Sequence, residues 1–228
     1  MESVTLLELK KSVRYEADQE NSNFITDDEL KSKIYASIRT YYNQLTEAVE
    51  DYNLTTESFT ISSGSSHNLP ANFYKLRGVD DMSYDRARTV RKFNFAARND
   101  FGRRDSFASL CLYSEIEYRL EGDTIEFSPP ERAQRSYRMF YTPTVVLPAG
   151  DNDTLTVLPG MQEFIYLDAA IACLNKEESN PAGLQQRLAL KKEEFTRMKA
   201  ERDNAMPEKV TRTRQGGNDP YYRYGYGP

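Results

Sequence analysis

The sequence predicts an α+β fold: a bundle of about four helices drawn from both ends of the chain, an inserted antiparallel β region and an extended C-terminal arm. Three observations carry this expectation. Apolar residues recur at helical spacing up to Glu50 and again after Gly160. Between Leu54 and Thr144 the pattern turns to short alternating runs broken by Gly, Pro, Asn and Asp. Thr211 to Pro228 holds no aliphatic side chain. The chain divides accordingly into residues 1–53 (N-terminal helices of the bundle), 54–158 (β insertion with an Arg-rich loop), 159–206 (C-terminal helical hairpin of the bundle) and 207–228 (arm). Its 228 residues are enough to bury a sizeable core.

Leu6, Leu9, Val13 and Ala17 share one helical face, so roughly the first twenty residues read as an amphipathic helix that stops before Asn21. A second helix starts at Phe24-Ile-Thr-Asp-Asp-Glu-Leu30. Thr26 is placed to cap the orphan amides, and Glu29, three residues on, is placed to return the bond to the cap's own amide. Leu30, Ile34, Ile38, Tyr41 or Tyr42, Leu45 and Val49 continue its apolar stripe to about Glu50, with acidic residues in the first turn at the positive end of the dipole.

In the β region Phe59 and Ile61 alternate with Thr60 and Ser62, and Tyr137, Met139 and Tyr141 repeat the same period. Tyr118 and Leu120 lead into Glu121-Gly-Asp123 and out through Ile125 and Phe127, a hairpin whose turn needs a glycine at positive φ. After it, Gly160 to Ser179 reads as a helix with Phe164, Leu167, Ile171 and Leu174 on one face. Its small residues Ala169, Ala170, Ala172 and Cys173 permit close approach by neighbours. Asn180 suits a cap and Pro181 a first turn, so Leu184, Leu188, Phe195 and Met198 mark a last helix that folds back and ends near Asn204.

Composition narrows the function classes. The formal charge is −5, which is not the electrostatic footprint of a protein that grips nucleic acid through phosphates. Sixteen Tyr and no Trp, with 39% hydrophobic residues, suit a subunit with much amphipathic contact surface. The N-terminus lacks the pattern of a signal peptide and no apolar run is long enough to span a bilayer, so a cytoplasmic folding site without a membrane is expected. Cys111 and Cys173 stand alone and read as reduced thiols.

Catalytic chemistry finds little support, and no cofactor or metal is expected. The single His67 sits in Ser62-Ser-Gly-Ser-Ser-His-Asn68, read as a solvated loop imidazole with no partner ligand nearby. Asp80 and Asp81 follow a strand and could form half of a carboxylate site, but turn chemistry accounts for them equally well. No phosphate loop or dinucleotide fingerprint occurs.

Two stretches stand out as contact surfaces. Arg86, Arg88, Arg91, Lys92, Arg98, Arg103 and Arg104 interleave with Phe93, Phe95 and Phe101, a pattern open to two readings: a single-strand nucleic-acid surface, or a projecting β-loop that pairs with acidic patches on neighbouring subunits. In an acidic chain the second is favoured. The arm carries Arg212, Arg214, Tyr221, Tyr222, Arg223, Tyr224 and Tyr226; it is too poor in apolar area to order alone and reads as a docking peptide anchored by Tyr and Arg.

Several stretches, in this order, resemble the head-to-tail connector proteins of tailed double-stranded DNA phages, also called adaptor or head-completion proteins. They are Phe24-Ile-Thr-Asp-Asp-Glu-Leu30 with Ile34-Tyr-Ala-Ser-Ile38, Leu69-Pro-Ala-Asn-Phe-Tyr-Lys-Leu-Arg-Gly-Val-Asp80, Tyr118-Arg-Leu-Glu-Gly-Asp-Thr-Ile-Glu-Phe-Ser-Pro129, Tyr137-Arg-Met-Phe-Tyr141, and the helix from Tyr166 to Asn180. The likeness runs from about residue 24 to Asp203. It implies a structural, non-enzymatic virion protein of the neck: a homo-oligomeric ring, commonly of twelve copies, beneath the portal protein. Such a ring lengthens the channel for passing double-stranded DNA and provides a platform for a tail nozzle or tail tube protein. The family's C-terminal arm lies against the portal, which fits the arm here, although the Tyr/Gly ending is not a general family motif and the Arg-rich loop is longer than a minimal connector needs. A tubular or nozzle ring protein of the tail is the nearest alternative.

Overall fold

Two hydrophobic cores, one helical and one made of strands, organise the computed structural model, which describes residues 2–20, 24–49, 51–94 and 116–205. Among the described residues there are four α-helices and ten β-strands, the α+β arrangement the sequence predicts.

The chain opens with a strand, not a helix. Glu2–Thr5 (β1) pairs antiparallel with Thr154–Val157 (β10), and α1 runs only over Leu6–Glu16. The reason is local as well as tertiary. Thr5 and Glu8 form a capping box, in which the Thr5 hydroxyl accepts from Glu8 N at 3.2 Å and the Glu8 carboxylate accepts from Thr5 N at 2.8 Å, so the helix starts at Leu6. Val4 and Leu155 then join the bundle's core from the two-stranded sheet.

Helix α2, Asp27–Ala48, is capped the same way at Thr26 and Glu29, with bonds of 3.3 and 3.2 Å. Its Leu30, Ile34, Ile38, Tyr41 and Leu45 are buried against Phe164, Ile165, Leu167, Ala169 and Ala170 of α3, Gln162–Lys176. Of the two tyrosines that compete for the stripe, Tyr41 is the buried one, and its hydroxyl accepts from Leu158 N at 2.9 Å. Asn180 Oδ1 accepts from Ala182 N at 3.0 Å to begin α4, Ala182–Ala205, which folds back so that Phe195 meets Tyr41 and Phe164 edge-on. Cys173 lies buried in this core as a free thiol, and burial pushes its pKa up.

The second core lies between two four-stranded sheets. One has the order β2-β9-β4-β5: Thr55–Thr60, Ser136–Pro143, Phe73–Asp81 and Arg88–Thr89. The other has the order β3-β8-β7-β6: Ser66–Asn68, Thr124–Ser128, Glu117–Glu121 and Arg91–Lys92. Every pair is antiparallel except β6 with β7, which is parallel. Alternation puts Phe59, Ile61, Val79, Ile125, Phe127, Tyr137 and Met139 inside, where Phe127 stacks on Tyr137 with centroids 4.1 Å apart. Gly122 supplies the β7–β8 turn at φ +56°, the conformation expected of it.

Where the two bodies meet, the contacts are polar and aromatic. Arg77 of β4 donates to Thr46 O at 2.9 Å and Thr142 Oγ1 at 3.2 Å, Tyr74 donates to Asn43 Oδ1 at 2.7 Å, and Tyr42 donates to Pro143 O at 2.6 Å. From Pro143 the chain returns along α2, with Lys31 on Ala149 O at 2.6 Å and Tyr35 bonded to Pro148 O.

Candidate interaction site

The basic stretch owes its position to one buried residue. Val90 is 6% exposed, its side chain in the β core, and its N donates to Val79 O at 2.8 Å, so the chain leaves the first sheet at β5 and enters the second at β6. Phe93 N then donates to Tyr118 O at 2.8 Å. Arg88, Arg91 and Lys92 are thereby displayed on the outer edges of both sheets, with Arg86 in the turn before them, and all four are exposed.

A rigid cluster supports this edge. Arg135 Nη1 donates to Asp81 Oδ2 and to the Tyr84 hydroxyl, both at 2.7 Å, and Asp81 Oδ1 accepts from Ser83 N at 2.9 Å. Two guanidinium groups approach the Tyr84 ring, with Arg88 3.9 Å and Arg135 5.3 Å from its centroid. Partial burial works against the charge on Arg135, but the bonds from Asp81 and Tyr84 outweigh it and raise its pKa. Asp81, only 4% exposed, is therefore committed to an ion pair that holds the turn. A buried carboxylate paired in this way is a structural element, and losing one partner of such a pair costs on the order of 3 kcal/mol.

His67 departs from the solvated loop position expected of it. It lies on β3, stacked on Phe59 at 4.0 Å with the ring planes 7° apart, and its Nε2 is 3.9 Å from Glu57. Strand pairing with Ile125 places it there, which no local sequence signal announces. Among the described residues no group of three or more His, Cys, Asp or Glu is arranged to hold a metal ion, and no helix is long and apolar enough to cross a membrane.

A cleft of about 790 Å³ opens between α2 and residues 143–156, lined by Ile38, Tyr42, Leu45, Tyr52, Val145 and Val146 among others. Its carboxylate, Asp153, accepts from Ala149 N at 2.9 Å and Gly150 N at 2.8 Å, bonds that hold its pKa below the usual range. The cleft thus presents packing surface, with Val146 85% exposed at its rim.

Of the sequence-predicted contact residues, Arg88 lies on the edge of one sheet, Arg91 and Lys92 on the edge of the other, and Arg86 in the bend before them. Arg98, Arg103 and Arg104, together with the arm residues Arg212, Arg214, Tyr221, Tyr222, Arg223, Tyr224 and Tyr226, lie outside the described residues, as does Cys111. Sequence reasoning missed Tyr84 and Arg135, whose pairing joins positions far apart in the chain and leaves no local pattern.

Comparison with curated proteins gives no match. A family model does match, over residues 4–218, so it takes in the bundle helices, both sheets of the β body and the start of the arm. The connector resemblance carried by the helix start at Phe24, the hairpin at Gly122 and the helix through Tyr166 is thereby given a definite assignment: the chain belongs to the SU10 adaptor protein family, a phage head-to-tail adaptor family.

Proposed function

We propose that this adaptor forms a ring, of twelve copies as is common among connectors, at the neck of the virion. In this reading each copy docks on the portal protein through the arm and the bundle, extends the DNA channel, and gives tail proteins a platform through the β body. The observation that carries it is the family match over residues 4–218 on a chain folded as two bodies with separate cores. A protein that joins two partners is well served by two surfaces built on independent cores. A net charge of −5 also fits a channel that passes DNA without holding it. The exposed cations Arg86, Arg88, Arg91 and Lys92 then serve a tail protein or the neighbouring copy, and Tyr221, Tyr222, Tyr224 and Tyr226, with Arg212, Arg214 and Arg223, anchor the arm in a portal groove. Assembly takes place in the host cytoplasm.

Deletion of residues 207–228 tests the docking role. The shortened chain is expected to keep its folding transition and to lose co-sedimentation with portal rings. Co-sedimentation unchanged by the deletion would reject docking through the arm.

A further inference from the structure

Strand β4 is irregular at two places, and both irregularities serve one purpose. Its pairing with β9 runs Phe73 to Pro143, Lys75 to Thr142, Leu76 to Tyr141 and Gly78 to Phe140, with the register shifting between Phe73 and Lys75 and again between Leu76 and Gly78. The residue left over at the first shift is Tyr74, and at the second Arg77. A β-bulge re-aims the side chain of the extra residue. These two residues are the ones through which β4 reaches α2: the Tyr74 hydroxyl donates to Asn43 Oδ1, and the Arg77 guanidinium donates to Thr46 O.

The contact lies at the carboxyl end of α2, where carbonyls lack helical partners and the dipole favours a cation. Arg77 satisfies both conditions, and its Nε bond to Thr142 Oγ1 ties the same guanidinium back to β9. Around it, Tyr42 meets Tyr74 edge-on at 6.2 Å and donates to Pro143 O, where the chain leaves the β body. Thr46 and Thr142 are both buried, at 2% and 0% exposure, so their polar groups need these bonds. The buried apolar residues, by contrast, fall into two separate clusters, one on each side of this joint.

We propose that Tyr74 and Arg77 form a polar latch that fixes the angle between the bundle and the β body, and that the latch can open while both bodies stay folded. Each hydrogen bond of the joint is weak in net terms, because opening the joint lets water take the partner's place at the same polar groups, whereas each core is held by its own apolar burial. The joint is therefore the place where the molecule yields first. Opening it leaves the bodies tethered at 49–54 and near Thr144, the two stretches where the chain crosses. In an adaptor seated between two partners, this would let the β body turn relative to the bundle as the second partner arrives. The latch is a property of the single chain, and its test does not depend on portal docking.

The test uses the full chain with Cys111→Ser and nitroxide labels on Arg39→Cys of α2 and Asp123→Cys of the β7–β8 turn, both exposed positions. Pulsed dipolar spectroscopy is expected to give one narrow distance distribution. With Arg77→Leu and Tyr74→Phe together, its width should grow at least twofold while circular dichroism in the far and near ultraviolet stays unchanged. Arg77→Lys, which keeps the charge but not the fork that bonds two acceptors, should give an intermediate width. The amide of Val49, bonded to Leu45 O at the end of α2, should exchange on the order of tenfold faster in the double variant. A distribution that stays narrow without the latch overturns the proposal, as does a broad one in the native chain or loss of either body's folded signature in the double variant.

Discussion

Arg14 shows how much a single side chain settles at the far end of the bundle. Its Nη2 donates to Asp27 Oδ1 at 2.7 Å and to Ile25 O at 3.4 Å, joining the end of α1 to the start of α2. The bond from Arg14, helped by Lys10, holds the Asp27 carboxyl below its ordinary 3.8. Glu163 is likewise lowered: burial opposes its charge, and the bonds from Arg187 and Lys191 more than offset that. Both are carboxylates with folded-state values below their unfolded ones, so the stability they contribute is complete above about pH 5 and is lost as the pH falls through the lowered values. Urea midpoints measured at about pH 7, 4.5 and 3 should therefore decline mainly in the last interval. Arg14→Gln should flatten that decline, because Asp27 then titrates near its ordinary value; an unchanged acid slope would show that the pair contributes nothing. Asp27 is largely exposed, and solvent screening keeps the effect small.

At the scale of elements, helix starts are encoded locally and strand partners are not. Thr-x-x-Glu occurs before both α1 and α2, and each time the hydroxyl and the carboxylate exchange bonds with backbone amides. Thr26→Ala should destabilise the chain by about 1 kcal/mol, read as a shift in denaturation midpoint with unchanged slope, since it removes a cap without altering either core. A loss below about 0.3 kcal/mol would mean that Lys176, bonded to Glu29 at 2.7 Å, holds this helix end by itself. The box at Thr5 and Glu8 was as legible as that at Thr26, yet the apolar period through Leu6 and Leu9 masks it, and a helix from the first residues is the natural reading. Strand β1 becomes visible only with its partner Thr154–Val157, roughly 150 positions away.

At the scale of the whole molecule the decisive feature is the separation of two cores, with opposite demands on what lies between and around them. An acidic adaptor, with a net charge of −5 on the full chain, should bind duplex DNA only weakly. With an oligonucleotide of roughly thirty base pairs, fluorescence anisotropy should show dissociation constants weaker than about 10 μM at low salt, and no binding by about 200 mM salt. Tight, salt-resistant binding would contradict the proposed channel role. Much of this architecture is legible in the sequence. The helical periods of α2 to α4, the Asn180-Pro181 break and the turn at Gly122 follow from steric and hydrogen-bonding rules acting within a few residues, so the sequence by itself determined the α+β class and the order of the helices around the β region, though not the strand pair β1 and β10. Only the tertiary structure decided that Tyr42 faces the β body while Tyr41 enters the core, that Val90 carries the chain from one sheet to the other, that Asp81 belongs to Arg135, and that Tyr74 and Arg77 are set aside by bulges to grip α2. Those outcomes depend on register between strands distant in the chain, and register is fixed by which faces find burial together, a collective property that no short window of residues contains.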